Sequence, residues 1–339
     1  MLKNNKELLI KMLDHQSKSD DLYKPGPYWE NKTKNATKRI IKFGLNDFRS
    51  HRSLIGLSFA DNPHLDIRSF WDRGLRSVFI MLLNFFVPFK KIFLGQLKFT
   101  KNLFDQNKIL KQKIFINSKL YFDQKYKIPE NATMGGCEDY IEIKGIKIPN
   151  IYIKVLSELK VVSSHVDYTR GKSFFEIGSG FGVLPHLITE NFQNIRKIAI
   201  LDIAPNLYIS NMYLQSFYGD SVRTFDSFPK GEKIKFKEDD SLEIYFLLPN
   251  QIEDLDFKFD YFNNSHSFVE MPSEIVANYA RKVQLSLNEN SIVSMLSYNH
   301  TRDVTLDPHN LPSFFDNLDF NTIEDSDIFG DRFSLHISK

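Results

Sequence analysis

The sequence predicts an α/β protein: a mostly parallel sheet covered by helices on both faces, closed by an antiparallel hairpin, behind a mainly helical N-terminal extension. Three observations predict it. In the second part of the chain, short apolar runs alternate with helical patterns, the order that builds a parallel sheet. The run Phe174-Phe175-Glu176-Ile177 leads into a turn carrying Gly178, Gly180 and Gly182, the form of a strand-to-helix ligand loop. Asp202 ends a second apolar run, Lys197-Ile198-Ala199-Ile200-Leu201, at the place of a ribose-binding acid.

Residues 1–130 form the extension and 131–339 the sheet domain. Leu8, Leu9, Ile10, Met12 and Leu13 begin a short amphipathic helix, and Trp71, Leu75, Val78 and Leu82 line one face of a longer one. Between them Pro25-Gly26-Pro27-Tyr28-Trp29 reads as a helix-breaking turn that presents aromatics. Residues 138–154 read as short extended segments around Gly145, followed by a helix from about Leu156 to Tyr168. The expected strands are 174–177, 197–202, 243–248, 259–263 and 291–298, the helices 182–192, 206–217 and 273–287. Residues 320–324 and 332–337 make the closing hairpin.

Charge and cysteine usage narrow the classes. The 339 residues carry a net charge of +2, so bulk electrostatics gives no argument for nucleic acid, and Lys90-Lys91 and the stretch from Lys108 to Lys125 read as solvated faces. The single Cys137 cannot form an internal disulfide, which fits a reducing, cytoplasmic setting and excludes a cysteine-based zinc cluster. The apolar triplet after the polar N-terminus is too short for a secretory signal. Val78–Phe89 is shorter than the roughly 20 apolar residues that cross a bilayer. It reads first as a buried helix, with an interfacial membrane anchor or a homo-oligomer contact as alternatives.

The glycine spacing separates the cofactors. A dinucleotide loop wants G-x-G-x-x-G, but Val183 stands where that pattern needs its third glycine, and no Lys-Ser or Lys-Thr pair follows as in a phosphate-cradling loop. Glu176, at the mouth of the strand, repels phosphate and suits an ammonium group. After the fourth strand, Asn263, Asn264 and His266 fall at the carboxyl edge, where an α/β sheet binds ligand. Histidine titrates near neutrality, so His266 reads as a general base or as a loop-ordering residue. Glu270 reads as its partner, as an acceptor for a substrate hydroxyl or as a brace for the helix that Pro272 introduces. Asn263 and Asn264 divide between turn-making and ligand contact.

The stretch from Phe174 to Gly182, with Asp202, resembles motif I of the class I S-adenosylmethionine-dependent methyltransferases. The resemblance implies a Rossmann-like methyltransferase fold, Gly178, Ser179, Gly180 and Gly182 beside the methionyl end, Glu176 on the ammonium group, and Asp202 on the ribose hydroxyls. It also implies Ile203 beside the base and Asn250 and Gln251 facing the adenine, although the acid usual in that last position is missing. More narrowly, Phe175–Gly182, Leu201–Tyr208 and Asn264–Met271, with Tyr28-Trp29 and Phe43-Gly44 to Phe48-Arg49, resemble the sugar O-methyltransferases of bacterial polysaccharide and antibiotic gene clusters. This implies a sugar or sugar-linked acceptor, with His266 as base and Glu270 and Asn264 orienting the ring. Tyr28 and Trp29 then either pack on the sugar or anchor the extension. Some such enzymes use magnesium; Asp303, Asp307, His309 and Glu270 carry suitable donors, though their spacing demands no metal. Arg302 would meet a phosphate if the acceptor carries one. A non-sugar small-molecule acceptor and a non-catalytic cofactor-binding protein are the competing readings.

Overall fold

The computed structural model describes residues 2–50, 126–137, 140–143, 145–229, 231–298, 305–328 and 331–339. The apolar run Val78–Phe89, the helix face from Trp71 to Leu82, Lys90-Lys91, the basic stretch from Lys108, Arg302 and Asp303 lie outside the described residues.

β1 (Tyr140–Ile143) and β2 (Ile146–Pro149) pair as an antiparallel ribbon around Gly145. The remaining strands are β3 (Ser173–Ile177), β4 (Lys197–Leu201), β5 (Val222–Arg223), β6 (Glu243–Leu247), β7 (Phe259–Ser265), β8 (Leu287–Tyr298), β9 (Phe320–Ile328) and β10 (Asp331–Ser338). They form one eight-stranded sheet in the order β5-β6-β4-β3-β7-β8-β10-β9. Strands β3 to β8 pair in parallel, and β10 and β9 close the sheet antiparallel. The expected architecture is therefore the one observed, helical N-terminal portion included.

Alternating side chains on each strand split the core in two. Phe174, Ile198, Ile200 and Phe246 pack into one cluster with α3 (Asn150–Ser163), α4 (Val183–Asn191) and α5 (Asn206–Tyr218). Phe175, Ala199, Leu201 and Phe262 pack on the other face with α6 (Ser273–Leu285). The N-terminal helices share these cores. Leu8, Leu9 and Met12 of α1 (Lys6–Ser17) and Ala36 and Ile40 of α2 (Pro27–Phe43) join the first cluster. Tyr23, between the two helices, joins the second. The segment from α1 to α2 thus starts and ends at the first cluster and reaches the second through Tyr23.

Two starts differ from expectation. Pro25–Trp29 is not a turn that breaks helices: Pro27 opens α2, because proline lacks only an N–H that the first turn leaves unpaired anyway. Tyr28 and Trp29 accordingly stand in the first helical turn. The helix expected from Leu156 starts at Asn150 and ends at Ser163, since its buried stripe of Tyr152, Leu156 and Leu159 begins one turn earlier. The two-residue β5 is too short to leave a pattern. No described helix is long and apolar enough to cross a membrane.

One buried polar cluster joins three helices. The Tyr152 hydroxyl lies 2.7 Å from His186 Nδ1 and 2.8 Å from the Tyr213 hydroxyl. Burial pushes His186 down to about 3, so it is neutral. Because this value lies below the ordinary 6.5, the stability that His186 contributes is present above pH 6.5 and is lost as pH falls toward 3. Tyr152→Phe removes a partner of the buried ring nitrogen. We expect a loss of about 1–3 kcal/mol, read from the urea unfolding midpoint; an unchanged midpoint would exclude a structural role for this bond.

Candidate functional site

The chain leaves β3 for β4 on one side and later returns to β7 on the other, so the order reverses between β3 and β7. At such a switch point a crevice opens beyond the carboxyl ends of the strands. A cavity of about 380 Å³ lies there. Its wall includes Glu176, Gly178, Ser179, Gly180, Asp202, Ile203, His266 and Glu270, together with Lys24, Gly26, Tyr28 and Trp29 from the N-terminal segment.

Glu176 is buried at the end of the central strand. Asn263 donates to its Oε1 at 3.2 Å, while Oε2 has no hydrogen-bond partner among the described residues. Burial pushes this carboxyl up to about 8; the Asn263 bond opposes the shift and the nearby acids Asp202 and Glu158 add to it. Asp202 accepts from the Ile203 N–H at 2.7 Å and the Gly180 N–H at 3.1 Å. Burial raises it to about 7 against those two bonds, with Glu270 adding to the rise.

The turn between them requires glycine. Gly178 has φ +83°, and a Cβ there would fall 2.3 Å from Ser267 Oγ. Gly180 has φ +60°, and a Cβ there would meet nothing within 4 Å. Ser179 Oγ and Asn206 Oδ1 are buried without a partner among the described residues. These residues fit a nucleoside bearing an amino acid: an orphaned carboxylate oxygen for an ammonium group, an unused hydroxyl, bare backbone, and a carboxylate whose oxygens each accept more than one hydrogen bond.

Across the cavity His266 sits at the end of β7 with φ +69°, an uncommon conformation for a side-chain-bearing residue. Its N–H donates to the Leu296 carbonyl at 2.7 Å, and its ring stacks on Tyr298 at 4.8 Å between centroids. Nε2 lies 3.4 Å from Oε1 of Glu158 on α3, while the buried Nδ1 has no partner among the described residues. Burial raises the Glu158 carboxyl, but the hydrogen bond from His266 and the charge of Lys154, 3.8 Å away, outweigh it and hold the group ionised below its usual range. An ionised Glu158 accepts the Nε2 proton and so leaves Nδ1 as the basic nitrogen. Glu270 is held from two sides: the Trp29 indole N–H donates to Oε2 at 3.2 Å, and the Tyr298 hydroxyl donates to Oε1.

Several expected site residues lie elsewhere. Asn264 is fully buried and does not line the cavity; its amide donates to the Ile177 carbonyl and to Ser267, and its oxygen accepts from the Phe268 N–H. It braces the turn rather than facing an acceptor. Asn263 supports Glu176 and accepts from Ser294. Gln251 spends both ends on backbone, at Leu248 and Phe225, and Asn250 pairs with His15. The cavity wall takes Pro249 from that loop instead. Gly182 caps the start of α4. Asp307 caps a short helix through the His309 N–H, and His309 faces Glu324. Among the described residues no cluster of His, Cys, Asp or Glu is arranged to hold a metal ion.

Glu158, Lys154, Ser267 and Tyr298 escaped the sequence reading. For Glu158 a signal existed, an acid on the apolar face between Leu156 and Leu159.

No protein-family model matches this chain, and no curated protein matches it. Solved structures resemble it in part. The mitomycin 7-O-methyltransferase MmcR is 12% identical, with 56% of each chain covered and a TM-score of 0.39. An S-adenosylmethionine-dependent methyltransferase of Leishmania major is 8% identical, covering 57% of this chain and 74% of that one, with a TM-score of 0.39. The magnesium protoporphyrin IX methyltransferase of Synechocystis, with S-adenosylmethionine bound, is 11% identical over 56% of this chain and 81% of that one, with a TM-score of 0.37. This chain spans 56% of the length of the mitomycin enzyme. At such identities and scores these likenesses carry nothing about activity or substrate.

Two outcomes test the cavity. The raised Glu176 and Asp202 values favour the ligand-free fold at low pH, a contribution lost as pH rises through about 7 and 8. An ammonium-bearing ligand needs the ionised form, so S-adenosylhomocysteine should bind on the order of tenfold more tightly at pH 8.5 than at pH 6 in calorimetry. Glu176→Gln should flatten that dependence; an identical pH profile in the variant would remove Glu176 from the ligand site. Gly178→Ala, strained in φ and crowded by Ser267, should abolish binding.

Proposed function

We propose that this protein is an S-adenosylmethionine-dependent O-methyltransferase acting on a sugar hydroxyl of a surface polysaccharide, its precursor or a glycosylated metabolite. The observation that carries the reading is the pairing of His266 with Glu158 in the same cavity whose opposite wall holds Glu176, Ser179 and Asp202. One wall suits an amino-acid nucleoside and the other a hydroxyl that must lose a proton.

Glu176 would take the ammonium group, the backbone at Gly178 and Gly180 would lie along the methionyl end, and Asp202 would accept from the ribose hydroxyls. Ile203 and Pro249 supply apolar surface beside the base. Bound S-adenosylmethionine supplies a methyl group on a positively charged sulfur. His266 takes the acceptor's proton on its imidazole ring, and the charge then formed on the ring is held by Glu158. Holding base and hydroxyl in place is itself worth several kcal/mol of barrier, up to about 7–11 in the best intramolecular models.

The acceptor side favours a neutral, hydroxyl-rich ligand. Glu158 and Glu270 line the cavity with Lys154 and Lys24, and each lysine lies beside an acid, Glu158 at 3.8 Å and Asp21 at 2.8 Å. A phosphate would find little uncompensated positive charge there. In this reading the N-terminal extension, residues 1–130, is a cap for the substrate or for an oligomer contact, and the enzyme is cytoplasmic, which fits a chain with the single cysteine Cys137.

Labelled S-adenosylmethionine incubated with a panel of glycan precursors should yield labelled product. His266→Ala should lower kcat by about 10²–10⁴-fold while leaving S-adenosylhomocysteine affinity within about twofold. Glu158→Gln should cause a smaller fall in kcat. Full transfer by His266→Ala would mean that another group removes the proton.

A further inference from the structure

Resting on the sugar-methylation reading, we infer that Glu270, held by Trp29 and Tyr298, is the carboxylate that recognises the acceptor, and that it takes the hydroxyl neighbouring the one to be methylated on a pyranose ring.

The geometry begins with Tyr298. Its ring stacks on His266 at 4.8 Å and 18°, and its hydroxyl donates to Glu270 Oε1. One side chain therefore sets the spacing between the proton acceptor and a second cavity carboxylate. A vicinal diol presents two neighbouring hydroxyls, one for each group of this linked pair. The other oxygen of Glu270 is fixed by an indole N–H from a residue 241 positions away in sequence. Two rigid aromatic donors on different elements hold the carboxylate in one orientation, which is what recognition of a particular hydroxyl pair requires.

Trp29 adds the second half of a carbohydrate subsite. Its ring is half-buried, lines the cavity, and meets Tyr28 edge-on at 5.4 Å. An aromatic face accepts the apolar C–H face of a sugar while a neighbouring carboxylate accepts its hydroxyls. Gly26 eases the close approach of this segment, since a Cβ there would sit 3.1 Å from Pro272 Cδ, two residues beyond Glu270. The N-terminal segment thus brings ring and N–H together on a carboxylate supplied by the sheet domain.

The test uses full-length wild type, Trp29→Phe, Tyr298→Phe and Glu270→Gln with labelled S-adenosylmethionine. The probes are methyl α-D-mannopyranoside, methyl α-L-rhamnopyranoside, methyl α-D-glucopyranoside and the monodeoxy forms of each; S-adenosylhomocysteine affinity reports that each variant is folded. Glu270→Gln and Trp29→Phe should raise KM for an accepted glycoside at least tenfold and leave S-adenosylhomocysteine affinity within twofold. The monodeoxy probe lacking the neighbouring hydroxyl should lose as much with wild type, and lose nothing further with Glu270→Gln. If wild type methylates a glycoside and Glu270→Gln still separates parent from deoxy probe as wild type does, the subsite is overturned while sugar methylation stands. If wild type binds S-adenosylhomocysteine and methylates none of the glycosides, the sugar reading itself falls and this subsite falls with it.

Discussion

A carboxylate buried at the carboxyl end of the central strand is the constraint around which the site is organised. Removing Glu176 from water is costly unless its oxygens are met by donors. The protein meets one of them. The parallel register of β3 with β7 sets Glu176 beside Asn263, and Ser294 on β8 donates to the Asn263 oxygen, which directs the amide N–H groups at Glu176. Three neighbouring strands thus cooperate to hold a carboxyl group that they satisfy only in part. Glu176 lines the cavity and one of its oxygens has no partner among the described residues, so a cationic ligand would complete an arrangement that the sheet leaves unfinished.

The N-terminal segment is tied to the same edge by polar bonds as well as by shared core. Gln16 accepts from the Ala204 N–H at 2.7 Å just after Asp202, and His15 pairs with Asn250 after β6. Tyr23 bonds Glu253, and Trp29 bonds Glu270. Each anchor falls on a loop at the carboxyl end of a strand. The backbone that would contact a nucleoside is therefore positioned partly by residues from the extension, and displacing α1 or the first turn of α2 would disturb both walls of the cavity. The two walls of the cavity are thus mechanically linked through one short segment.

Much of this was legible in sequence because it rests on local rules. Adjacent phenylalanines such as Phe174 and Phe175 mark a strand buried on both faces, and three glycines followed by an acid mark a ligand turn whose backbone needs positive φ. What escaped depends on pairing across the chain. Glu158 meets His266 only because α3 packs opposite the end of β7. Asn250, Gln251 and Asn264 looked like ligand contacts because each is polar at a strand end. Their hydrogen-bonding groups are met instead by His15, by loop backbone, and by the Ile177 carbonyl with its neighbours. A polar residue at such an edge serves ligand or loop according to which donors and acceptors the fold leaves over, and that remainder is a tertiary quantity.

The same distinction explains why Asn264 matters without touching a substrate. A left-handed conformation at a residue with a side chain costs of order 1 kcal/mol or more and persists only where the surroundings impose it. At His266 they do so from both sides. Asn264 closes the turn onto β3 and Phe268, and the Leu296 carbonyl takes the His266 N–H. The ring is then fixed between Tyr298 and Glu158 before any ligand arrives. Orientation achieved during folding need not be achieved again when a ligand enters, so the conformational cost at His266 is met by the hydrogen bonds of Asn264 and Leu296 rather than by ligand binding energy.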